Sequence, residues 1–196
     1  MESIINNVID YYNSQISSDV IYEQNENAGG KVRQKNGNLV ESMVKIIIQE
    51  LCKLNNINEY KITGKSEDSI RITSKNGYID ASVDVHMSIN NKSVLFSECK
   101  TYLDKCYLDR ANSDLLHFKK LDKNNSCIIV SLENAVATNA ENYFLDEGNI
   151  DRIFYLVDGK RSGSKPIWKS EFYKPINIDV LKELINHIDI VIKQYI

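Results

Sequence analysis

The sequence predicts a mixed α/β fold, with a central mixed β-sheet flanked by helices. Three observations carry that expectation. Two apolar segments, 81–89 and 93–101, surround the polar turn NNK (90–92) and read as an antiparallel hairpin. Two further strand-like runs, CIIVSL (127–132) and RIFYLVD (152–158), each follow a stretch of helical periodicity. A strand–helix–strand step of this kind implies a right-handed crossover, hence parallel strands beside the antiparallel pair.

Taken in order, residues 1–17 have Ile4, Ile5, Val8, Ile9, Tyr12 and Ile16 at near-helical spacing. A polar loop is expected at 23–38, which is rich in Gly, Asn and Lys and has no apolar period. Asn38 is then expected to cap a helix reaching about Leu54, with Val40, Met43, Val44, Ile47 and Leu51 on one stripe. Short strands are expected at 58–63 and 69–74, with a turn at KNG (75–77) before YIDASVDVHMSI. After the hairpin, Leu103, Tyr107, Leu108, Ala111, Leu115 and Phe118 form the inner side of a helix over 103–121. A short helix fits 134–146, GKRSGSKP (159–166) is a basic loop, and 178–195 is a closing helix. With no internal repeat and no linker, 1–196 is expected to be a single domain. Its core spans about 38–158, and the terminal helices and N-terminal loop are elaborations.

Composition narrows the class. Hydrophobic residues make up 42% and charged residues 26%, which suits a soluble globular chain. No run of about 18 apolar residues is present to span a membrane. The opening MESIINNVIDYYNSQ lacks the basic start and apolar stretch of a signal peptide, so a cytoplasmic location is expected. The cysteines at 52, 99, 106 and 127 are too dispersed for a zinc site or a disulfide framework. A net charge of −3 argues against an indiscriminate nucleic-acid coat, yet a local basic cleft remains compatible with it.

The chemistry concentrates in FSECKTY (96–102). Side chains alternate along a strand, so Glu98 and Lys100 project together and Cys99 projects oppositely. If residues 90–92 form a three-residue loop, Ile89 faces Ser93 and the same register sets Asp84 directly opposite Glu98. The two carboxylates then have Cβ atoms ~5 Å apart. Such neighbours repel unless a hard cation joins them, and oxygen donors of this kind suit Mg²⁺. The main-chain carbonyl of Cys99 offers a further ligand. An ammonium alongside stabilises developing negative charge, and the chemistry this favours is metal-assisted phosphodiester hydrolysis.

Asp84, thirteen residues and then Glu98-Cys99-Lys100, on a hairpin followed by a helix and a strand, resembles the motif of the PD-(D/E)xK nuclease superfamily. Within it, the pattern is similar to that of type II restriction endonucleases. The resemblance covers roughly residues 38–132 and implies a restriction-endonuclease-like core. It further implies Mg²⁺-dependent cleavage of double-stranded DNA, usually by a homodimer, as part of restriction–modification. On this resemblance Asp84 and Glu98 are metal ligands and Lys100 is the catalytic lysine. Glu41 matches the glutamate that many members carry on the helix before the sheet. Val83 stands where the superfamily's name has proline.

Each of these residues also has a plainer reading. Asp84, Glu98 and Lys100 can be a cross-strand salt-bridge trio on a solvated sheet face, which is worth little. Asp80 shares the parity of Asp84 and is a rival for the first acid. Glu41 can be a first-turn acid favoured by the helix dipole. Cys99 reads as a small core residue, and His86, His117 and His187 read as structural. For DNA contact, Lys31, Arg33, Lys35 and Asn36 in the N-terminal loop are candidates, against a solvated loop. Lys105, Arg110 and Asn112 on the helix after the motif, and Lys160, Arg161 and Lys165 in the basic loop, are others. Two alternative functions stand beside restriction: a repair or recombination nuclease with the same site, and a non-catalytic DNA-binding module.

Overall fold

The computed structural model describes residues 1–19, 29–65, 67, 69–162 and 172–196; the side chains of 17–19 and 29–37 are outside that description. Its centre is a five-stranded mixed sheet. In chain order the strands are β1 (Tyr60–Thr63), β4 (Val85–Ile89), β5 (Lys92–Leu103), β6 (Ser126–Asn134) and β7 (Arg152–Tyr155), and this is also their spatial order. The pairs β1–β4 and β4–β5 are antiparallel, while β5–β6 and β6–β7 are parallel. A separate two-stranded antiparallel ribbon, β2 (Ile70–Ser74) with β3 (Gly77–Ala81), is inserted between β1 and β4.

The helices divide between two apolar clusters. The larger gathers α1 (Glu2–Asp19), α2 (Gly29–Leu54) and α5 (Ile178–Lys193) against residues such as Met87, Leu95, Val130 and Phe154. The smaller gathers α3 (Lys105–Leu121) and α4 (Thr138–Asp146) around Phe96, Cys127 and Ile129. Residues alternate between the two: Ile128 and Val130 belong to the first, Cys127 and Ile129 to the second. A strand covered on both faces reads as a continuous apolar run, which explains CIIVSL. No helix among the described residues is long and apolar enough to cross a membrane.

Four expectations are corrected. Residues 29–38 are helical, so Asn38 lies inside α2 and does not cap it. KVRQK (31–35) consists mostly of good helix formers, so the helix continues N-terminally from the buried stripe of Leu39, Val40, Met43 and Val44. The segment 77–89 is two strands in two sheets, broken at Ser82–Asp84, because Ile70 and Ala81 turn the ribbon's base toward the Phe96 cluster. β6 runs on to Asn134, and α4 starts only at Thr138.

The fourth correction concerns the hairpin turn. Asn90 and Asn91 have φ of 49° and 61°, and Ile89 pairs with Lys92, so this is a two-residue turn and not a three-residue one. Two asparagines tolerate left-handed φ, and the resulting turn matches strand twist. A bulge then intervenes: Ser88 faces Ser93 but Met87 faces Leu95, leaving Val94 as the extra residue. Val94 and Leu95 both lie in the larger cluster, although strict alternation would separate them. Beyond the bulge His86 faces Phe96 and Val85 faces Ser97. One further step in that register sets Asp84 against Glu98, so the shorter turn and the bulge cancel.

Candidate active site

β5 is the middle strand of the sheet, flanked by β4 on one side and β6 on the other. It carries Glu98 into the interior, where the residue is 2% exposed. Asp84 approaches from the irregular stretch before β4, and its Oδ2 accepts the Cys99 N–H at 2.8 Å. The same Oδ2 accepts from Lys100 Nζ at 2.9 Å, and Lys100 also ion-pairs with Glu98 Oε2. The structure thus brings Asp84, Glu98 and Lys100 together, with the ammonium joining the two carboxylates.

The second oxygen of Glu98 is a different matter. Among the described residues, Glu98 Oε1 is the buried side-chain oxygen that has no hydrogen-bond partner. An unsatisfied charged oxygen in the interior is costly. Burial and, more weakly, the Asp84 charge push the Glu98 carboxyl up to about 6, against the opposing pull of Lys100. Burial acts to lower the Lys100 ammonium, but Glu98 and Asp84 outweigh it and hold the group above its ordinary value. Cys99 points the other way, 5% exposed in the larger cluster, and burial pushes its thiol well up.

Glu41 reaches the same end of the sheet from α2. Its Oε1 pairs with Lys45 at 2.7 Å, and the position a Cβ would take on Gly64 lies 3.0 Å from that oxygen and 3.4 Å from the Asp84 carbonyl. Gly64, directly after β1, is therefore the narrow gap between Glu41 and Asp84. Glu67 Oε2 accepts the Gly64 N–H at 3.0 Å and closes the turn. Lys65 in that turn acts electrostatically on Glu98. Sequence reasoning passed over Lys45, Gly64, Lys65 and Glu67; the i,i+4 spacing of Glu41 and Lys45 was the available signal.

Other candidates lie elsewhere or differ in character. Asp80, the rival first acid, is on the ribbon, bound by Arg71 at 3.0 and 3.3 Å and remote from Lys100 in register. His86 stacks on Phe96 at 4.7 Å, with Ser93 Oγ 3.0 Å from Nε2, so it packs the sheet. His187 Nε2 meets Ser126 Oγ at 3.0 Å, and burial lowers its pKa. Asn112 is buried and donates to Glu147 at 2.8 Å. Lys105 is exposed on the first turn of α3, and Arg110 is exposed with Asp114 at 4.0 Å. Arg161 lies 3.5 Å over the Tyr102 ring, two residues beyond Lys100 on β5. Lys160 Nζ bonds Asn134 Oδ1 at 3.1 Å. Lys31, Arg33, Lys35 and Asn36 are on the helical start of α2, but their side chains, and all of Lys165, lie outside the described residues.

Among the described residues no group of three or more His, Cys, Asp or Glu side chains is assembled tightly enough to hold a metal by itself. A hard cation that keeps most of its waters does not require one, since one or two carboxylates suffice. Asp84 and Glu98 fit that demand, and the unpartnered Glu98 Oε1 is the free donor a cation would take.

Comparison with known proteins bears on the whole arrangement. No protein-family profile matches the chain. It is 29% identical over 124 residues to the type II restriction enzyme DdeI of Desulfomicrobium norvegicum, a match covering 55% of this chain and 50% of that enzyme. The aligned part thus spans about half the length of the relative. Among solved structures, NucC of P. aeruginosa ATCC27853 in its cAAA-bound form superposes with a TM-score of 0.53 at 11% identity, covering 96% of this chain and 89% of NucC. The fold is restriction-endonuclease-like. A low-resolution BbvCI A2B2 tetramer also matches, with a TM-score of 0.44 at 13% identity, over 98% of this chain and 89% of that one. In this chain the central mixed sheet carries Glu98 and Lys100 on β5, and Asp84 immediately precedes β4.

Proposed function

We propose that this protein is a type II restriction endonuclease that hydrolyses phosphodiester bonds in double-stranded DNA with Mg²⁺. The observation that carries the reading is the trio at the β4–β5 hairpin, with Glu98 Oε1 buried and unpartnered. A salt-bridge trio kept only for stability would not strand a carboxylate oxygen in the interior. Similarity to a type II restriction enzyme supports the substrate class.

In this reading Asp84, Glu98 and the Cys99 carbonyl hold the cation, and Glu41 contributes from α2. Nucleases of this fold generally use divalent metal ions, and the ion supplies Lewis-acid stabilisation of the phosphate. Lys100 leaves the carboxylates to hold the attacking water and the charge growing on the phosphate oxygens. A water oxygen bonds to phosphorus in line as the bond to O3′ breaks; the water gives a proton to solvent and O3′ takes one from solvent, leaving 5′-phosphate and 3′-hydroxyl ends. Lys105, Arg110 and Arg161 approach the phosphate backbone. Lys105 supports this part of the reading, because a cation on a first helical turn opposes the helix dipole and gains nothing locally. A homodimer follows from the substrate: two antiparallel strands are cut equivalently by two sites related by a twofold axis.

The test is incubation of the purified protein with plasmid or phage DNA, with Mg²⁺ or with EDTA. Discrete fragments that require Mg²⁺ are expected. Glu98→Ala and Lys100→Ala should each lower cleavage by about 10³-fold or more while keeping the fold. Unspecific cutting would move the reading to a repair or recombination nuclease. No cutting of any DNA with any divalent ion would overturn it.

A further inference from the structure

The β2–β3 ribbon takes no part in the central sheet, and a lone two-stranded ribbon is marginal in water without packing. Its base is anchored: Ile70 and Ala81 pack against the cluster of Val83, Phe96 and Phe118, and Ile72 on the same face is half-buried. The opposite face is solvent-facing and is built of Arg71, Thr73, Tyr78 and Asp80, all exposed. There the Arg71 guanidinium lies 4.1 Å over the Tyr78 ring while two of its nitrogens bond the Asp80 carboxylate. Tyr78 remains 59% exposed and Ile79 43%. The tip, Ser74-Lys75-Asn76-Gly77, adds a cation and polar groups.

From this we infer that the ribbon is a groove-binding arm that docks on duplex DNA and holds the scissile phosphate at Asp84. The inference rests on the nuclease reading above. Three features favour DNA as the occupant. A two-stranded β-ribbon is narrow enough to enter the major groove, ~12 Å wide. The outward face and tip carry Arg71 and Lys75 against the single acid Asp80, in a chain whose net charge is −3. And β3 ends at Ala81, three residues before Asp84, a reach of about 10 Å at full extension. Contacts made by the ribbon are thereby transmitted over a short tether to the acid that faces Glu98. Arg71 is held by Asp80 through Nε and Nη2 and by the Tyr78 ring, which leaves Nη1 to address a base edge, and Lys75 is set to address a phosphate.

The experiment measures a linear plasmid shifted in a gel with Ca²⁺ in place of Mg²⁺, then cut with Mg²⁺, for wild type, Arg71→Ala, Lys75→Ala and the double variant. Circular dichroism melting and size-exclusion chromatography accompany each. The double variant is expected to need about tenfold or more protein to shift the DNA, with a wild-type melt and elution. Lys75→Ala should lower the slope of log affinity against log salt by about one, which loss of packing alone would not do. If the double variant shifts and cuts DNA as wild type does, with the same salt slope, the arm is not a DNA contact. If it changes the oligomeric state and leaves DNA affinity per assembled particle unchanged, the ribbon joins copies of the chain and the inference falls. If wild type itself neither shifts nor cuts DNA, the nuclease reading falls and takes this one with it.

Discussion

Two glutamates on neighbouring strands are buried almost equally, and they are opposites. Glu98 on β5 is 2% exposed and Glu133 on β6 is 1% exposed. Glu133 Oε1 accepts from Lys174 Nζ at 3.1 Å, and the main chain of Lys174 in turn accepts the Tyr12 hydroxyl at 2.8 Å. That set ties β6 to α1 and to the segment leading into α5. Glu98 has a cation on Oε2, and its Oε1 has no hydrogen-bond partner among the described residues. Charge burial alone therefore does not distinguish a structural group from a reactive one. The distinction lies in whether the group's bonding capacity is used up within the fold.

The most severe way to probe that contrast is Glu98→Gln. Cleavage should fall by about 10³-fold or more, as for loss of any charge-stabilising group at such a centre. Stability of the metal-free protein should move the other way. Folding raises the Glu98 pKa from its ordinary 4.5 to about 6, so between these values the native state binds more protons than the unfolded state. Native stability therefore declines as pH rises through that window, and the ionised carboxylate is a standing cost above it. Glu98→Gln removes the cost, of order 2 kcal/mol. Thermal melts in EDTA should show the variant more stable than wild type at pH 7 to 8 and equal to it below about pH 4.5. A variant less stable at pH 8 would break the comparison.

Glu133→Gln should do the reverse. Removing one partner of a buried pair is costly, but Lys174 is 27% exposed and regains water, so a loss of about 2 kcal/mol is expected. Urea titration measures it, and cleavage assayed well below the melt should stay near wild type. A loss of cleavage as large as that of Glu98→Gln would place Glu133 in the active site.

The mildest change is Gly64→Ala. Its Cβ would sit 3.0 Å from Glu41 Oε1, tighter than ordinary contact, and the flexible carboxylate would have to yield. Stability should change by less than about 1 kcal/mol, while the metal concentration for half-maximal cleavage rises several-fold. An unchanged metal requirement would separate Glu41 from the site.

Much of the central sheet was readable because apolar alternation is a local property. The parity of Glu98 and Lys100 follows from a period of two, and the strand CIIVSL from a run too apolar for one covered face. What escaped was settled between distant segments. Nothing near Asn38 signals that α2 begins at Gly29, because residues 29–38 have no apolar period and the helix formers among them are interrupted by Gly and Asn. The alternation of 77–89 hides the break at Ser82–Asp84, which exists because two sheets compete for one chain. That break also separates Asp80 from Asp84, which parity alone could not do. Glu133 fell between the strand expected at 127–132 and the helix expected at 134–146, and nothing local marks it, since its partner lies 41 residues away.

The hairpin holds one last consequence. Turn length and bulge each shift the pairing of β4 with β5 by one residue, and they do so in opposite senses. They behave as a frameshift and its suppressor do in a reading frame. A residue inserted after Asn91 would, with the two-residue turn kept, turn Asp84 away from Glu98, and the deletion of Val94 would bring it back. What the facing of the two acids requires is therefore the sum of turn and bulge, and neither length by itself.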